Sequence, residues 1–225
     1  MKYTYYGQSC FLLETDGYKL LFDPFIQGNP LAKDVKLADI QADFILVSHG
    51  HADHLADLVS IAKSSGAKVI AMPEICEWIG KQGVENVHGM NFGSFTFDFG
   101  HLRMVWATHS SGLPDGSYGG NPAGFVLKTA SKQIYFAGDT GLTMEMKLIA
   151  DLYQLDCAIL PIGGNYTMDP QDALFASQLI NCKKIIGVHY NTFPVIEIDT
   201  EAAKELFTQA QKELILPQIG EQVSL

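Results

Sequence analysis

Apolar and polar positions alternate in short stretches over the first part of the chain. Residues 4–6, 10–14 and 18–22 read as strands, with Asp16-Gly17 as the hairpin turn between the last two. A polar segment with Gly and Pro follows Asp23-Pro24 to about residue 39. Phe44-Ile45-Leu46-Val47, running into Ser48, is continuously apolar, the pattern of a strand buried on both faces. Residues 55–63 place Leu55, Leu58, Val59 and Ala62 on one face at helical spacing. Residues 69–72 read as another buried strand. Pro73 opens a helix to about residue 81, because the first turn does not need its missing N–H.

Residues 95–99 alternate Phe with polar positions and predict one face of a half-exposed strand rather than a substrate platform. Strands are expected at 102–107, 124–128, 134–137, 158–162, 185–188 and 214–216. Helices are expected at 144–153, 169–180 and 200–211, the last two announced by Asp169-Pro170 and Asp199-Thr200. The Gly-, Pro- and Ser-rich residues 110–122 read as a surface loop. Strand runs early, strand–helix alternation later and no simple repeat predict an α/β chain of two packed sheets with helices outside. Its 225 residues suit one domain spanning 1–225.

Composition narrows the function classes. The chain is 47% hydrophobic and 18% charged, ordinary for a globular protein. Its net charge of −10, with no basic run beyond Lys183-Lys184, disfavours nucleic acid. No apolar stretch is long enough to span a bilayer, and the first residues have no secretory h-region. The expectation is a cytoplasmic protein with no membrane partner. Cys10, Cys76, Cys157 and Cys182 are far apart, form no C-x-x-C pair, and are expected to be reduced and buried.

The chemistry concentrates in His49-Gly50-His51-Ala52-Asp53-His54, four potential metal ligands in six residues. With seven histidines in 225 residues, chance produces such a run in roughly one chain in two thousand. In an extended segment, residues i and i+2 point the same way, so His49 and His51 can meet on one ion. Asp53 and His54, where the chain turns into a helix, can aim at a second. Imidazole and carboxylate suit Zn, Mn, Fe or Ni without selecting strongly among them. His109, Asp139 and His189 each lie just past an expected strand, where a rigid sheet positions functional groups. His88 and His101, beside glycines, are expected to be surface or turn residues.

In the order Asp23, H-x-H-x-D-H, His109, Asp139 and His189, the chain resembles the metallo-β-lactamase fold superfamily. Gly7-Gln8-Ser9-Cys10-Phe11, Phe22-Asp23-Pro24 and the stretch from Pro161 to Met168 resemble a compact group of bacterial metal-dependent hydrolases related to ascorbate-phosphate lactonases. The resemblance implies a four-layer αββα sandwich with the site at one edge and two divalent ions, zinc first among the candidates. It implies that His49, His51 and His109 bind one ion, that Asp53, His54 and His189 bind the other, and that Asp139 bridges them. Asp23 would orient a ligand imidazole or neighbouring backbone from behind. True metallo-β-lactamases carry a cysteine at the second metal where this chain has Asp139, so lactam hydrolysis is not expected. The di-iron oxidoreductases of the superfamily carry Glu where this chain has His51.

The activity so implied is attack by a metal-bound hydroxide on an ester, lactone or phosphate-ester bond of a small molecule, with Asp53 as catalytic proton acceptor. Two ions, two carboxylates and a hydroxide leave a local charge near +1, which favours an anionic substrate. Asn165, Tyr190, Asn191 and Thr192, with Tyr166, are the candidate substrate contacts or proton donors. A mononuclear iron oxidoreductase, such as a persulfide dioxygenase, and a non-catalytic metal-binding protein are the alternatives. Self-association as a homo-oligomer is left open.

Overall fold

The computed structural model describes residues 1–225 and contains two seven-stranded sheets packed face to face. The first comprises β1 (Lys2–Gly7), β2 (Cys10–Thr15), β3 (Tyr18–Phe22), β4 (Phe44–Leu46), β5 (Lys68–Ala71) and β6 (Val87–Gly89), with β14 (Gln222–Ser224) from the end of the chain. The second comprises β7 (Ser94–Phe97), β8 (Gly100–Trp106), β9 (Ala123–Lys128), β10 (Gln133–Phe136), β11 (Cys157–Pro161), β12 (Lys184–Val188) and β13 (Glu213–Ile215). The strand orders are β14-β1-β2-β3-β4-β5-β6 and β13-β12-β11-β10-β9-β8-β7.

Both sheets begin antiparallel and continue parallel. β1, β2 and β3 pair antiparallel, then β3 to β6 pair in parallel; β7 to β10 pair antiparallel, then β10 to β13 in parallel. Parallel neighbours need crossovers; residues 23–43 join β3 to β4 without an α-helix, and helices supply the others. On the first sheet these are α2 (Leu58–Ser65) and α3 (Pro73–Gly80); on the second they are α4 (Met146–Leu152), α5 (Pro170–Leu179) and α6 (Thr200–Gln209). Strand–helix alternation thus occurs in both halves, not only in the later one. The layers are helices, sheet, sheet, helices, as the resemblance implied.

Aromatic rings lock the two inner faces together. Phe136 of the second sheet meets Phe11 and Phe22 of the first edge-on, at centroid distances of 5.0 and 5.6 Å. Outside the second sheet, Phe207, Ala176 and Ile149 from α6, α5 and α4 pack on Tyr135, Leu160 and Ile185. All four cysteines are free and buried, and burial pushes the Cys76 thiol up to about 11. No helix is long and apolar enough to cross a membrane.

Several expectations need correction. The helix expected over 55–63 is two pieces, a single turn α1 (Ala52–Leu55) and α2, broken at Asp57. The buried Asp57 carboxylate accepts hydrogen bonds from the backbone N–H groups of Ile26 (2.6 Å) and Gln27 (2.9 Å), which holds the chain out of helical continuity. His88 and His101 lie in strands β6 and β8 rather than turns. His88 packs on the rings of Phe95 and Phe97, and His101 Nδ1 sits 3.1 Å from Thr96 Oγ1. The strand over 95–99 stops at Phe97, so that Phe95 is exposed while Phe99 is buried in the core. β6 and β14, with three residues each, show no periodicity long enough to read.

Candidate metal centre

The histidine and aspartate side chains singled out above converge at one edge of the sandwich. β3 delivers Asp23, β4 leads to His49, β8 to His109, β10 to Asp139 and β12 to His189. Loop ends from both sheets are tied together there. The N–H of His189 donates to the carbonyl of Gln8 in the β1–β2 turn (2.8 Å), and that of Ala123 to Ser48 (3.0 Å). Gln8, Asp23 and His189 all adopt positive φ, at 54°, 42° and 56°. Backbone held in this sparsely populated region, on the order of 1–3 kcal/mol per residue, is maintained only where surrounding contacts over-determine it.

Two triads stand side by side. His49, His51 and His109 present ring nitrogens to one another, as do Asp53, His54 and His189 with one carboxylate oxygen. Asp139 Oδ2 lies between them, 2.9 Å from His189 Nε2, 3.3 Å from His54 Nε2, 3.7 Å from His109 Nε2 and 3.9 Å from His49 Nε2. Ligand atoms about 2.0–2.1 Å from a tetrahedral zinc lie roughly 3.3 Å apart. The separations around Asp139 bracket that figure.

A buried chain of hydrogen bonds fixes which ring nitrogens are bare. Ser48 Oγ donates to Asp23 Oδ2 at 2.6 Å, so it can only accept from His49 Nδ1 at 3.0 Å. His54 Nδ1 donates to the same carboxylate oxygen at 2.8 Å. His49 therefore carries its proton at Nδ1 and turns a lone pair at Nε2 toward the centre; His54 would do the same once a bound cation displaces its second proton. Asp23 also accepts from the Ser48 N–H (2.7 Å). Asp23, His49 and His54 form a third cluster of ligand-type side chains, but Asp23 holds the outer nitrogen of His54 and is consumed by these three bonds.

The electrostatics call for a cation. Burial holds His49, His51 and His109 below the ordinary imidazole range, and for His49 the neighbouring His54 adds to this, so these rings favour the neutral, ligating form. Burial works against a charge on His54, yet Asp139, Asp23 and Asp53 outweigh it and hold a proton there in the metal-free chain. Burial would raise the carboxyls of Asp139 and Asp53 as well, but the imidazoles, chiefly His189 and His54 for Asp139 and His54 for Asp53, keep both well below the usual carboxylate range. Buried His54 Nε2, Asp139 Oδ1 and His189 Nδ1 have no hydrogen-bond partner. Bare nitrogens, ionised buried carboxylates and no Lys or Arg among them are a donor set that fits divalent cations.

A cavity opens over this cluster, lined by His51, Asp53, His109, Asp139 and His189 on its floor. Tyr166 is on its wall; Asn165, Tyr190, Asn191 and Thr192 are not. Asn165 and Asn191 take positive φ in turns, and the Asn191 carboxamide caps the Ile198 N–H at 2.8 Å. Tyr190, Asn191 and Thr192 line a neighbouring cleft on the far side of Gln8, and burial pushes the Tyr190 phenol up to about 12. Of these four, expected from proximity in sequence, Tyr190, Asn191 and Thr192 thus belong to the neighbouring cleft, and Asn165 is exposed in its turn outside the cavity lining. Gln8, conversely, was given no role by its sequence, since a carboxamide is not a usual metal ligand. Its Nε2 donates to Asp53 Oδ2 at 2.9 Å.

A two-sheet sandwich with a histidine–aspartate cluster at the loop edge is the arrangement of metal-binding proteins of the β-lactamase fold. The sequence model of the Beta-lactamase superfamily domain matches residues 18–190, a span that holds the whole cluster. A UPF0173 metal-dependent hydrolase from Christiangramia forsetii is 50% identical, with each chain covered completely. The Bacillus subtilis UPF0173 metal-dependent hydrolase YtkL is 47% identical over 90% of this chain and 91% of its own. The solved structure of Igni18, a metallo hydrolase from the archaeon Ignicoccus hospitalis, superposes with a TM-score of 0.89. It is 35% identical and covers 99% of this chain and 97% of its own. The chain belongs to the UPF0173 metal-dependent hydrolases within the β-lactamase superfamily.

Proposed function

We propose that the chain is a dinuclear hydrolase of a small-molecule ester, lactone or phosphate ester. The observation that carries this is the position of Asp139 Oδ2 between two separate triads, within 3.9 Å of a nitrogen from each. His49, His51 and His109 would hold one ion and Asp53, His54 and His189 the other, with Asp139 shared and zinc the first choice. Divalent ions held there would supply Lewis acidity, lowering the pKa of water and polarising the oxygen that gains charge.

The remaining work falls to the chain. Asp53 is the more open carboxylate, with 27% of its side chain exposed against 3% for Asp139. It therefore faces the cavity where water enters, and by position it is the carboxylate that would take the proton from water. Gln8 fixes one of its oxygens. Asp23 and Ser48 hold the His49 and His54 rings in the tautomer that leaves Nε2 free.

Elemental analysis of freshly purified protein tests the reading. Close to two zinc, manganese or nickel per chain is the expected result, with turnover abolished in His51→Ala and Asp53→Ala. One iron per chain with oxygen-dependent turnover would replace it by the mononuclear oxidoreductase. Failure to take up any of these ions would overturn it.

A further inference from the structure

We infer that the substrate is an uncharged carboxylic ester or lactone bearing an aromatic or medium-length aliphatic group. The inference rests on the hydrolase reading above and narrows it. The cavity over the cluster measures about 580 Å³, inside the range of roughly 300–1,000 Å³ that encloses a drug-sized molecule. Its floor is the polar cluster. One flank is apolar: Phe25 and Phe193 stand with ring centroids 6.4 Å apart, beside Val195 and Tyr166. Val195 and Tyr166 are each 58% exposed, so this flank has contact area with no partner within the chain.

Charge excludes the alternatives. The chain has 15 Lys and Arg side chains, and none lines the cavity. Proteins recognise phosphate and carboxylate groups with Arg forks or Lys ammonium groups. An anionic group beyond the cluster would lose hydration against Phe25, Phe193 and Val195 and gain no counter-charge. The expectation of an anionic substrate, drawn from the charge of the ions alone, therefore finds no support in the walls. A neutral ester develops negative charge only as it reacts, which is where a cationic floor stabilises selectively.

The reaction balances as acyl transfer to water. The oxygen of water bonds to the acyl carbon, the acyl C–O bond breaks, and the proton taken by Asp53 passes to the departing alkoxide. The products are an alcohol and a carboxylic acid. The acid ionises in a cavity whose walls offer no cation to retain it, which favours its release.

The test uses the zinc-loaded protein and two methyl esters of similar length. Methyl 4-phenylbutanoate ends in a phenyl ring, and monomethyl suberate ends in a carboxylate; bis(4-nitrophenyl) phosphate serves as an anionic phosphodiester. The expected kcat/KM for the phenyl ester is about tenfold or more above either anion. Val195→Lys sets a cation on the rim and is expected to shift the ratio of the two methyl esters about tenfold toward the anion, with zinc content unchanged. Calorimetry with 4-phenylbutan-2-one, an uncharged ketone that cannot be hydrolysed, gives a readout independent of turnover; Phe193→Ala is expected to weaken its binding severalfold. Preference for either anion, an unshifted ratio in Val195→Lys, or no binding of the ketone would overturn the inference while leaving the hydrolase reading standing. Turnover of none of the three substrates, with zinc in place, would likewise overturn the inference; the dinuclear hydrolase reading stands or falls separately, on the metal content per chain.

Discussion

At the scale of single residues, the centre depends on side chains that never touch the cavity. Asp23 is fully buried and spends its carboxylate on Ser48 and His54. In Asp23→Asn one acceptor becomes an N–H donor, which confronts either Ser48 or the Nδ1 proton of His54. The imidazole is then driven to carry its proton at Nε2, pointing at the centre. Metal affinity is expected to fall about 10–100-fold, measured by competition with a chromogenic chelator, while the far-ultraviolet circular dichroism stays native. Equal affinity in the variant would show that the Asp23 contact does not govern the ring. The position of Asp23 was legible because it follows a strand and precedes Pro24. The contact made by Gln8 was not, because it depends on a turn of the first sheet meeting Asp53, 45 residues away.

At the scale of elements, two joints decide where ligand-type residues stand. The first is the break between α1 and α2. Apolar spacing runs through it undisturbed, so periodicity reads one helix, yet the Asp57 carboxylate serves the N–H groups of Ile26 and Gln27. Asp57→Ala leaves the buried Ile26 N–H unpaired and frees the part-buried Gln27 N–H, and the expected loss is about 2 kcal/mol of stability, read from the urea midpoint. The second joint is Gly163, after β11. A Cβ there would overlap the carbonyl of His189, so β11 and the β12 end approach as closely as they do only with glycine. Gly163→Ala is expected to push His189 out of line. Metal content should drop toward one ion per chain, with at least tenfold lower turnover; two tightly held ions in that variant would sink this account of the joint.

At the scale of the molecule, the cluster is a concentrated electrostatic load on the fold. The imidazoles of His49, His51 and His109 have folded pKa values below the ordinary 6.5. Below pH 6.5 the unfolded chain therefore binds more protons than the folded one, and stability is lost as the pH falls. His54 is shifted the opposite way. Its contribution is fully present below pH 6.5 and is lost as the pH rises through its raised folded value. The metal-free protein is accordingly expected to be most stable near pH 6.5 and to weaken on both sides. Bound ions take the place of the His54 proton, so loading should remove the alkaline decline and raise Tm. A scan of Tm against pH, with and without zinc, checks both; a metal-free profile still rising at pH 9 would contradict the assignment to His54.

The two-sheet α/β architecture was readable along the chain, because burial against a second sheet imposes periodicities that survive in one dimension. The sequence also marked His49, His51, Asp53, His54, His109, Asp139 and His189, since these residue types are costly in a core and stand at strand ends. Folding settled that Asp23 and Ser48 select the ring tautomers, and that Tyr190, Asn191 and Thr192 line a separate cleft while Gln8 reaches Asp53; the place of Asp139 between the triads was already implied by the resemblance. Likewise, Phe25 and Phe193, 168 residues apart, meet as one apolar wall. The reason is physical: spacing along a chain reports which face of an element a residue occupies, whereas distances, charges and cavity walls are set by contacts between elements that no local pattern encodes.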